Sequence, residues 1–296
     1  MRLRIGTRRS RLALAQAAEV AGALAAAGFG TELVPMTTSG DLGADPSTDP
    51  AGLKGLFVAE IVRALRDGEI DLAVHSAKDL PAEEDDALAI AAVPERASAL
   101  DVLVTREGEL VPGGRVGTSS IRRQAQVFRW RPDVLLEDLR GNVDTRLRKL
   151  ADGEVEALVL AAAGLLRLGV VPEHAAPMSL AEMVPAPGQG CLAVQARVDD
   201  AATREAVSTL DHAPSHAALE AERALMARLG GGCALPLGAF AEATPHGVRM
   251  VAIVLTPEGS RFARAEVEAP TPTEVAELAA LDLLAGGADE ILGLVR

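Results

Sequence analysis

Three short segments of the sequence combine small residues with arginine, a composition that suits the binding of anions. They are residues 4–10 (RIGTRRS), 117–123 (GTSSIRR) and 139–148 (LRGNVDTRLR). Each lies between a predicted strand and a predicted helix, where unpaired backbone N–H groups and the helix dipole stabilise negative charge. A guanidinium adds a bidentate hydrogen bond to a carboxylate or phosphate. One such segment could be a capped helix with solvated arginines, but three together favour a site for several carboxylates or phosphates.

A fourth segment, residues 75–81 (HSAKDLP), places charged groups directly after a short apolar strand. Lys78 and Asp79 precede a proline-enforced bend and are well placed to project into a cleft. Asp79 could act as an acid or base, or stabilise a cationic intermediate; the alternative is a surface turn with two neighbouring charges. We expect His75 to be a structural histidine with satisfied hydrogen bonds. The five histidines show no metal-ligand spacing, so no metal site is predicted.

The two cysteines differ in their surroundings. Cys233 follows three glycines, which permit close backbone approach and could admit a bulky group on the thiol. The alternative is a small core residue in a tight turn. Cys191 begins an apolar run and is expected in the core. Two cysteines make neither a disulfide framework nor a metal pair, which favours a reducing, cytoplasmic setting.

Composition and charge limit the class of ligand. The 296 residues carry a net charge of −13, with five Phe, one Trp and no Tyr. An acidic chain without aromatic platforms argues against nucleic acid, and its clustered arginines favour a small anionic ligand. The longest uncharged apolar run, residues 157–166, is too short to cross a bilayer, and charges interrupt the N-terminal apolar region. We therefore expect a soluble, cytoplasmic protein without a membrane partner and, since no coiled coil is evident, a monomer.

The elements that must position these groups follow two patterns. Up to residue 168, strands and helices alternate, which indicates parallel α/β sheets, and a polar connection near residues 94–100 divides them into two lobes. Ligands of open α/β sheets bind beyond the carboxyl ends of the strands, where each charged segment lies. Residues 237–268 alternate like an antiparallel sheet, and 273–284 form a covering helix. The predicted fold class is α/β, with two lobes and a small C-terminal α+β domain.

Eight motifs in a fixed order resemble the porphobilinogen deaminase family. They are residues 4–8 (RIGTR), 38–41 (TSGD), 54–57 (KGLF), 74–81 (VHSAKDLP), 117–123 (GTSSIRR), 139–143 (LRGNV), 187–190 (PGQG) and 231–233 (GGC). Each motif is unspecific alone, but the ordered set is highly specific. The similarity covers nearly the whole chain and is weakest towards the C-terminus.

The resemblance implies a transferase of tetrapyrrole and haem biosynthesis. Such an enzyme condenses four porphobilinogen molecules head to tail, with loss of ammonia, and releases hydroxymethylbilane. Its chain grows from a dipyrromethane cofactor, made from two substrate molecules and joined to Cys233 by a thioether. Two lobes would resemble type II periplasmic binding proteins, and a third domain would carry the cysteine. The implied limits are residues 1–98 with 188–211, residues 99–187 and residues 212–296, with a lid loop at 41–56.

The resemblance also implies roles for particular residues, because every pyrrole carries an acetate and a propionate. Asp79 would stabilise positive charge near the pyrrole nitrogens and move protons, which makes it the predicted catalytic residue. The predicted cofactor-binding residues are Cys233, Lys78, Asp79, Thr118, Ser119, Ser120, Arg122, Arg123, Arg140 and Arg146. The predicted substrate-binding residues are Arg8, Ser10, Asp41, Lys54, Arg167 and Gln189.

The sequence departs from the family pattern near the lid, where Pro50 and Ala59 stand in place of lysines found in some members. Contacts between the lid and the substrate therefore stay open. The alternative function is a non-catalytic solute-binding protein of the two-lobed α/β type, but it gives no role to the glycine–cysteine segment. A ligand-sensing regulator would need a helix-turn-helix segment with a basic recognition helix, and none is predicted.

Overall fold

Three β-sheets organise the chain, which a computed structural model describes over residues 1–37, 58–82, 85–230 and 235–295. The predicted site residues Asp41, Lys54 and Cys233 lie outside these ranges, as does the predicted lid loop at 41–56. The sheet that begins at Arg2 forms the first lobe, and the sheet that contains Asp101–Thr105 forms the second lobe. We call the unit built on the remaining sheet, within residues 237–269, the third unit.

Strands and helices alternate through the two lobes. The strands are β1 (Arg2–Arg8), β2 (Gly30–Met36), β3 (Leu72–Ser76), β4 (Leu88–Ala92), β5 (Asp101–Thr105), β6 (Arg115–Gly117), β7 (Leu135–Glu137), β8 (Ala157–Ala161), β9 (Ala175–Pro177), β10 (Leu192–Arg197), β11 (Leu237–Thr244), β12 (Gly247–Leu255) and β13 (Phe262–Ala269). The helices are α1 (Arg11–Ala26), α2 (Ala59–Arg66), α3 (Ile121–Trp130), α4 (Val143–Ala151), α5 (Ala162–Leu168), α6 (Ala201–Ser208), α7 (Ala213–Arg228), α8 (Pro272–Ala285) and α9 (Ala288–Val295). A short 3₁₀ turn, Ala77–Asp79, follows β3.

Both lobes contain mixed sheets, so the prediction of parallel sheets is wrong in part. The strand orders are β2-β1-β3-β10-β4 in the first lobe and β7-β6-β8-β5-β9 in the second. β1 is parallel to β2 and β3, but β10 is antiparallel to β3 and β4. β5 is likewise antiparallel to β8 and β9. The chain enters the second lobe with β5 and returns to the first lobe with β10. Each strand follows a connection between lobes and not a crossover helix within one lobe, so neither is required to be parallel to its neighbours.

The central strand β8 shows why the ends of the strands are the place for a ligand. Leu158 and Leu160 face one apolar core of the second lobe, whereas Ala157 and Val159 face the other. Because successive side chains point to opposite faces, both faces of this strand are covered. Its carboxyl end at Ala161 lies open and lines the cleft between the lobes.

The third unit is the predicted α+β domain. Its antiparallel sheet, in the order β11-β12-β13, is covered by α7 and α8 around one apolar core. The sequence analysis predicted neither the short strand β9 nor the C-terminal helix α9. Among the described residues, no helix is both long and apolar enough to span a membrane.

Candidate active site

The cleft between the two lobes is a basic region in an acidic protein. It has a volume of about 850 Å³ and is lined by the ends of β1, β3 and β8 and by the start of α1. The cationic side chains in its described lining are Arg8, Arg11, Lys78, Arg123, Arg140, Arg146 and Arg167. Asp79 and Asp144 are the only acids among the described lining residues. This concentration of positive charge suits a ligand with several carboxylates.

Lys78 and Asp79 lie in the 3₁₀ turn after β3, and both line the cleft. The turn is held by a backbone hydrogen bond that the Ala77 N–H donates to the Cys191 carbonyl oxygen at 3.1 Å. Gly188 packs directly on it, because a Cβ at that position would lie 2.9 Å from the backbone nitrogen of Lys78. Its φ of 75° also favours glycine. The PGQG motif therefore supplies a close backbone contact that fixes the position of Asp79.

His75 is buried at the end of β3 and also lines the cleft. Burial lowers the pKa of this imidazole to about 4, although the negative charge of Asp79 and the side chain of Gln195 oppose the shift. The ring is therefore neutral near pH 7. Its Nε2 atom has no well-aligned hydrogen bond among the described residues, so the prediction of a fully satisfied histidine is wrong in this respect. A neutral His75 leaves the negative charge of Asp79 available to a ligand.

Arg123 and Arg146 form the basic wall of the second lobe. Arg146 is half-buried and donates from Nε to the Gly141 carbonyl at 2.8 Å and from Nη2 to Ser119 Oγ at 3.2 Å. Burial and then the neighbouring charge of Arg123 lower the pKa of Arg146. Both causes disfavour positive charge in the ligand-free protein. A bound carboxylate would relieve that repulsion, so the charge of this wall suits an anionic ligand.

Arg140 lies at the exposed rim of the same wall. Its Nε donates to Asp138 Oδ2 at 3.1 Å, and both side chains are more than half exposed. Exposed pairs of this kind contribute only about 0–1 kcal/mol. A ligand carboxylate can therefore replace Asp138 as the partner of Arg140 at small cost.

The residues predicted to bind substrate lie on both lobes. Arg8 ends β1 and lines the cleft, as does Ser10. Ser10 Oγ also caps α1 by accepting a hydrogen bond from the Ala13 N–H at 3.3 Å. Arg167, on α5, donates from Nε to Glu19 Oε2 at 2.8 Å and from Nη2 to the Gly190 carbonyl at 3.2 Å. A substrate carboxylate at Arg167 would thus compete with Glu19.

Comparison with known proteins decides the family. A family model described as "Porphobilinogen deaminase, dipyromethane cofactor binding domain" matches residues 3–205. A second, described as "Porphobilinogen deaminase, C-terminal domain", matches residues 217–285. The chain belongs to the porphobilinogen deaminase family. Its two lobes therefore form a domain that binds the dipyrromethane cofactor, as the sequence resemblance implied.

Curated relatives match the chain over nearly its full length. The porphobilinogen deaminase of Acidothermus cellulolyticus is 45% identical, with 98% of this chain and 91% of that protein aligned. The Thermus thermophilus enzyme is 44% identical, with 99% and 98% aligned. That of Brevibacillus brevis is 41% identical, with 99% and 97% aligned. These matches support the transferase and not the alternative of a solute-binding protein.

Solved structures give weaker likenesses. The methionine-binding protein MetQ matches with a TM-score of 0.44 at 12% identity, over 71% of this chain and 89% of that one. A nutrient-binding protein from Burkholderia cenocepacia, bound to methionine, matches with a TM-score of 0.42 at 14% identity, over 70% and 91%. Likenesses at this level decide nothing about function.

Arg122 and Gln189 are not among the described residues that line the cleft, and their predicted roles in cofactor and substrate binding stay predictions. The buried Arg122 guanidinium donates from Nη1 to the Val184 carbonyl at 2.6 Å and lies 2.9 Å from Asp101 Oδ2. Gln189 Nε2 donates to the Ala99 carbonyl at 2.7 Å and to Asp101 Oδ1 at 3.0 Å. Both side chains point inward because Asp101, a buried acid, requires partners.

The three hydroxyl residues before α3 also make local contacts. Thr118 is fully buried, and its Oγ1 accepts from the Ser120 N–H at 3.2 Å. Ser120 Oγ caps α3 by accepting from the Arg123 N–H at 3.4 Å. Ser119 Oγ accepts from Arg146. None of the three is part of the described cleft lining, and their predicted role in cofactor binding stays a prediction.

Sequence reasoning missed an ion pair that joins the third unit to both lobe connections. Glu222, fully buried on α7, accepts from Arg96 Nη1 at 2.7 Å, from the Gly188 N–H at 2.5 Å and from the Ala241 N–H at 2.7 Å. Arg96 and Gly188 belong to the two segments that connect the lobes. The available signal was an acid on the apolar face of a helix, in line with Leu219, three residues before it.

Proposed function

We propose that this chain condenses four porphobilinogen molecules head to tail, with loss of ammonia, to give hydroxymethylbilane. The observation that carries this proposal is Asp79, a strand-end carboxylate held in a cleft whose other described charges are mostly guanidinium groups. The product and the substrate both carry an acetate and a propionate on every ring. A cleft with this positive charge binds such molecules, and Asp79 is the group in it that can stabilise positive charge on a pyrrole.

The described residues of the cleft fit a dipyrromethane cofactor. Two rings bring four carboxylates, and the second lobe offers Arg123, Arg140 and Arg146, with Lys78 on the first lobe. The repulsion between Arg123 and Arg146 is the feature that an anionic group would relieve. When bound through Cys233, the cofactor supplies the free α-carbon on which elongation begins.

Asp79 serves the chemistry in two ways. Departure of ammonia from the substrate leaves positive charge near the pyrrole nitrogen, which a carboxylate held close by stabilises. The free α-carbon of the terminal ring attacks the methylene carbon that has lost ammonia and then loses its proton as the new C–C bond forms, and Asp79 can accept that proton. Arg8 and Arg167 hold the substrate carboxylates and so orient the ring.

The lid and the domain limits complete the proposal. Asp41 and Lys54, which lie outside the described residues, are proposed to take part in substrate binding as members of the predicted lid. The limits of the three domains are residues 1–98 with 188–211, residues 99–187 and residues 212–296. What supports them is the order of the motifs along the chain.

The intact mass of the purified protein tests the proposal directly. We expect it to exceed the chain mass by two condensed pyrrole units and the protein to colour with Ehrlich's reagent, and Cys233→Ala to have the bare mass. Cys191→Ala is the matched control, because Cys191 is fully buried and burial raises the pKa of its thiol to about 12. It should keep the added mass. A wild-type chain with the bare mass that still turns over porphobilinogen would refute the attachment.

Arg140→Ala tests the pairing of arginines with carboxylates. A charge-assisted hydrogen bond contributes about 1.5–3 kcal/mol, so we expect cofactor assembly or the first addition to slow by about tenfold to 100-fold. Arg148→Ala is the control, since Arg148 is exposed on the same segment and lies outside the described lining. Stopped-flow mixing with porphobilinogen, followed by intact mass, measures each addition. Elongation at the wild-type rate in Arg140→Ala would contradict the pairing.

The setting of the enzyme is a further part of the proposal. The two cysteines of the chain favour a reducing cytoplasm, and the acidic net charge argues against nucleic acid as a partner. We infer a cytoplasmic monomer whose partner is porphobilinogen. Gel filtration with light scattering at micromolar concentration would test the monomer.

A further inference from the structure

Two ion pairs cross from one lobe to the other beside the cleft. Arg11, on α1 of the first lobe, donates from Nη1 to Asp144 Oδ1 at 2.9 Å and from Nη2 to the Leu168 carbonyl at 3.4 Å. Eight residues further along α1, Glu19 accepts from Arg167 Nε of the second lobe at 2.8 Å. α1 thus contacts the second lobe through two ion pairs, one to Asp144 on α4 and one to Arg167 on α5.

The polarity of the two pairs fixes the register of this contact. Along α1 the charges run Arg11 then Glu19, about 12 Å apart on a helix with a rise of 1.5 Å per residue. The second lobe presents the complementary charges, Asp144 and Arg167, in the matching order. A displacement of one lobe along the other would separate both pairs. Complementary charges of this kind select one arrangement of two surfaces more than they add stability.

The position of Arg11 is not explained by its own helix. It is the first residue of α1, where the helix dipole is positive, and the first turn of α1 contains no acid. A cation there is unfavourable in isolation. Asp144, by contrast, occupies the first turn of α4, where a carboxylate is favourable. Since the acid that pairs with Arg11 lies on the opposite lobe, the arrangement acts between lobes and not within a helix.

We propose that Arg11, Asp144, Glu19 and Arg167 form an electrostatic latch that sets the separation of the lobes over the cleft. Arg11, Glu19 and Asp144 are then positioning residues. The latch is weak, because the Arg11, Asp144 and Glu19 side chains are 63%, 43% and 44% exposed and water screens them. A carboxylate that enters the cleft competes with Glu19 for the Arg167 guanidinium, which weakens one of the two pairs. Ligand entry therefore loosens the closure as the product grows.

The loosening by ligand rests on the proposed function, but the latch itself does not. Its direct readout is the distance between the lobes in the purified holoenzyme, which needs no turnover. Glu69→Cys in the first lobe and Asp152→Cys in the second provide exposed attachment points for two fluorophores. Resonance energy transfer then reports the separation. Intact mass confirms that only these two thiols are labelled.

Charge reversal tests the latch. We expect Asp144→Arg or Arg11→Asp alone to increase the separation of the lobes and to lower kcat/KM about twofold to fivefold. The double variant Arg11→Asp with Asp144→Arg should restore both values. At high salt the wild type should approach the single variants. Glu266→Arg is the control: it breaks the exposed pair with Arg249 inside the third unit and should leave the separation unchanged.

Each outcome decides between the proposals. An unchanged separation in the single variants, or no restoration in the double variant, would overturn the latch while leaving the proposed function intact. Loss of activity in Arg11→Asp without restoration by the swap would show that Arg11 binds ligand directly, which also overturns the latch. A wild-type protein without the cofactor or without turnover would refute the proposed function alone, because the distance measurement stands independently of it.

Discussion

Replacement of Asp79 by asparagine should abolish turnover while leaving the cofactor on the protein. Asparagine keeps the size and one oxygen of the side chain but carries no negative charge and does not accept a proton at neutral pH. General acid–base groups contribute about 10²–10⁴-fold to rate, and stabilisation of charge adds to this. We therefore expect kcat to fall by about 10³-fold or more, with KM changed little.

Two measurements on Asp79→Asn separate a catalytic role from a structural one. Intact mass should still show two pyrrole units, because carboxylate binding depends on the cationic side chains and not on Asp79. Asp86→Asn is the matched control, an exposed aspartate shortly after the same turn that lies outside the described cleft lining. It should retain the wild-type rate. If Asp79→Asn turned over within about twofold of the wild type, Asp79 would have no part in the chemistry.

Local features of this site were predictable from the sequence because they depend on neighbouring residues. Ser10 starts a helix after a strand, and that cap is present. Lys78 and Asp79 follow an apolar strand, and such a position opens to the cleft in an α/β sheet. The first glycine of the PGQG motif, Gly188, also has a local signature, although its close approach to the backbone of Lys78 is visible only in the structure.

The other features of the fold and of the site depend on contacts between distant residues, for which a single sequence carries no signal. Arg11 and Asp144 are 133 positions apart, and nothing near either residue indicates the other. The direction of β10 is set by the route of the chain between lobes and not by its own residues. Arg122 and Arg123 are adjacent in sequence, yet only Arg123 lines the cleft. The orientation of the Arg122 side chain depends on Asp101, a buried acid that begins a strand 21 residues before it. In the sequence, Asp101 resembles an ordinary strand residue.

Asp101→Asn is the second variant with a large expected effect, in this case on stability. Asp101 is fully buried, and its Oδ1 accepts from Arg123 Nη2 at 2.7 Å and from Gln189 Nε2 at 3.0 Å. Removal of its charge leaves two buried guanidinium groups, those of Arg122 and Arg123, without a carboxylate. Breaking a buried pair in this way costs about 3–5 kcal/mol. Urea unfolding, followed by circular dichroism, should show this decrease in the free energy of unfolding.

Asp133→Asn is the matched control, because Asp133 forms a partly exposed pair with Arg131 in the same lobe. We expect it to change the free energy of unfolding by less than about 1 kcal/mol. A result for Asp101→Asn no larger than this would mean that the second lobe does not depend on the buried network. The consequence for the site is direct, since Arg123 holds its place in the basic wall through Asp101.

The stability difference between the wild type and Asp101→Asn should change with pH in a definite direction. Burial alone would raise the pKa of Asp101, but the charges of Arg122 and Arg123 outweigh it and hold the pKa well below its ordinary value of 3.8. A carboxyl group with a lower pKa in the folded protein contributes its full stabilisation above the unfolded pKa and loses it as the pH falls. The stability difference between wild type and Asp101→Asn should therefore be constant near neutral pH and shrink below about pH 4. A difference that grew in acid would place the stabilising charge elsewhere than on Asp101.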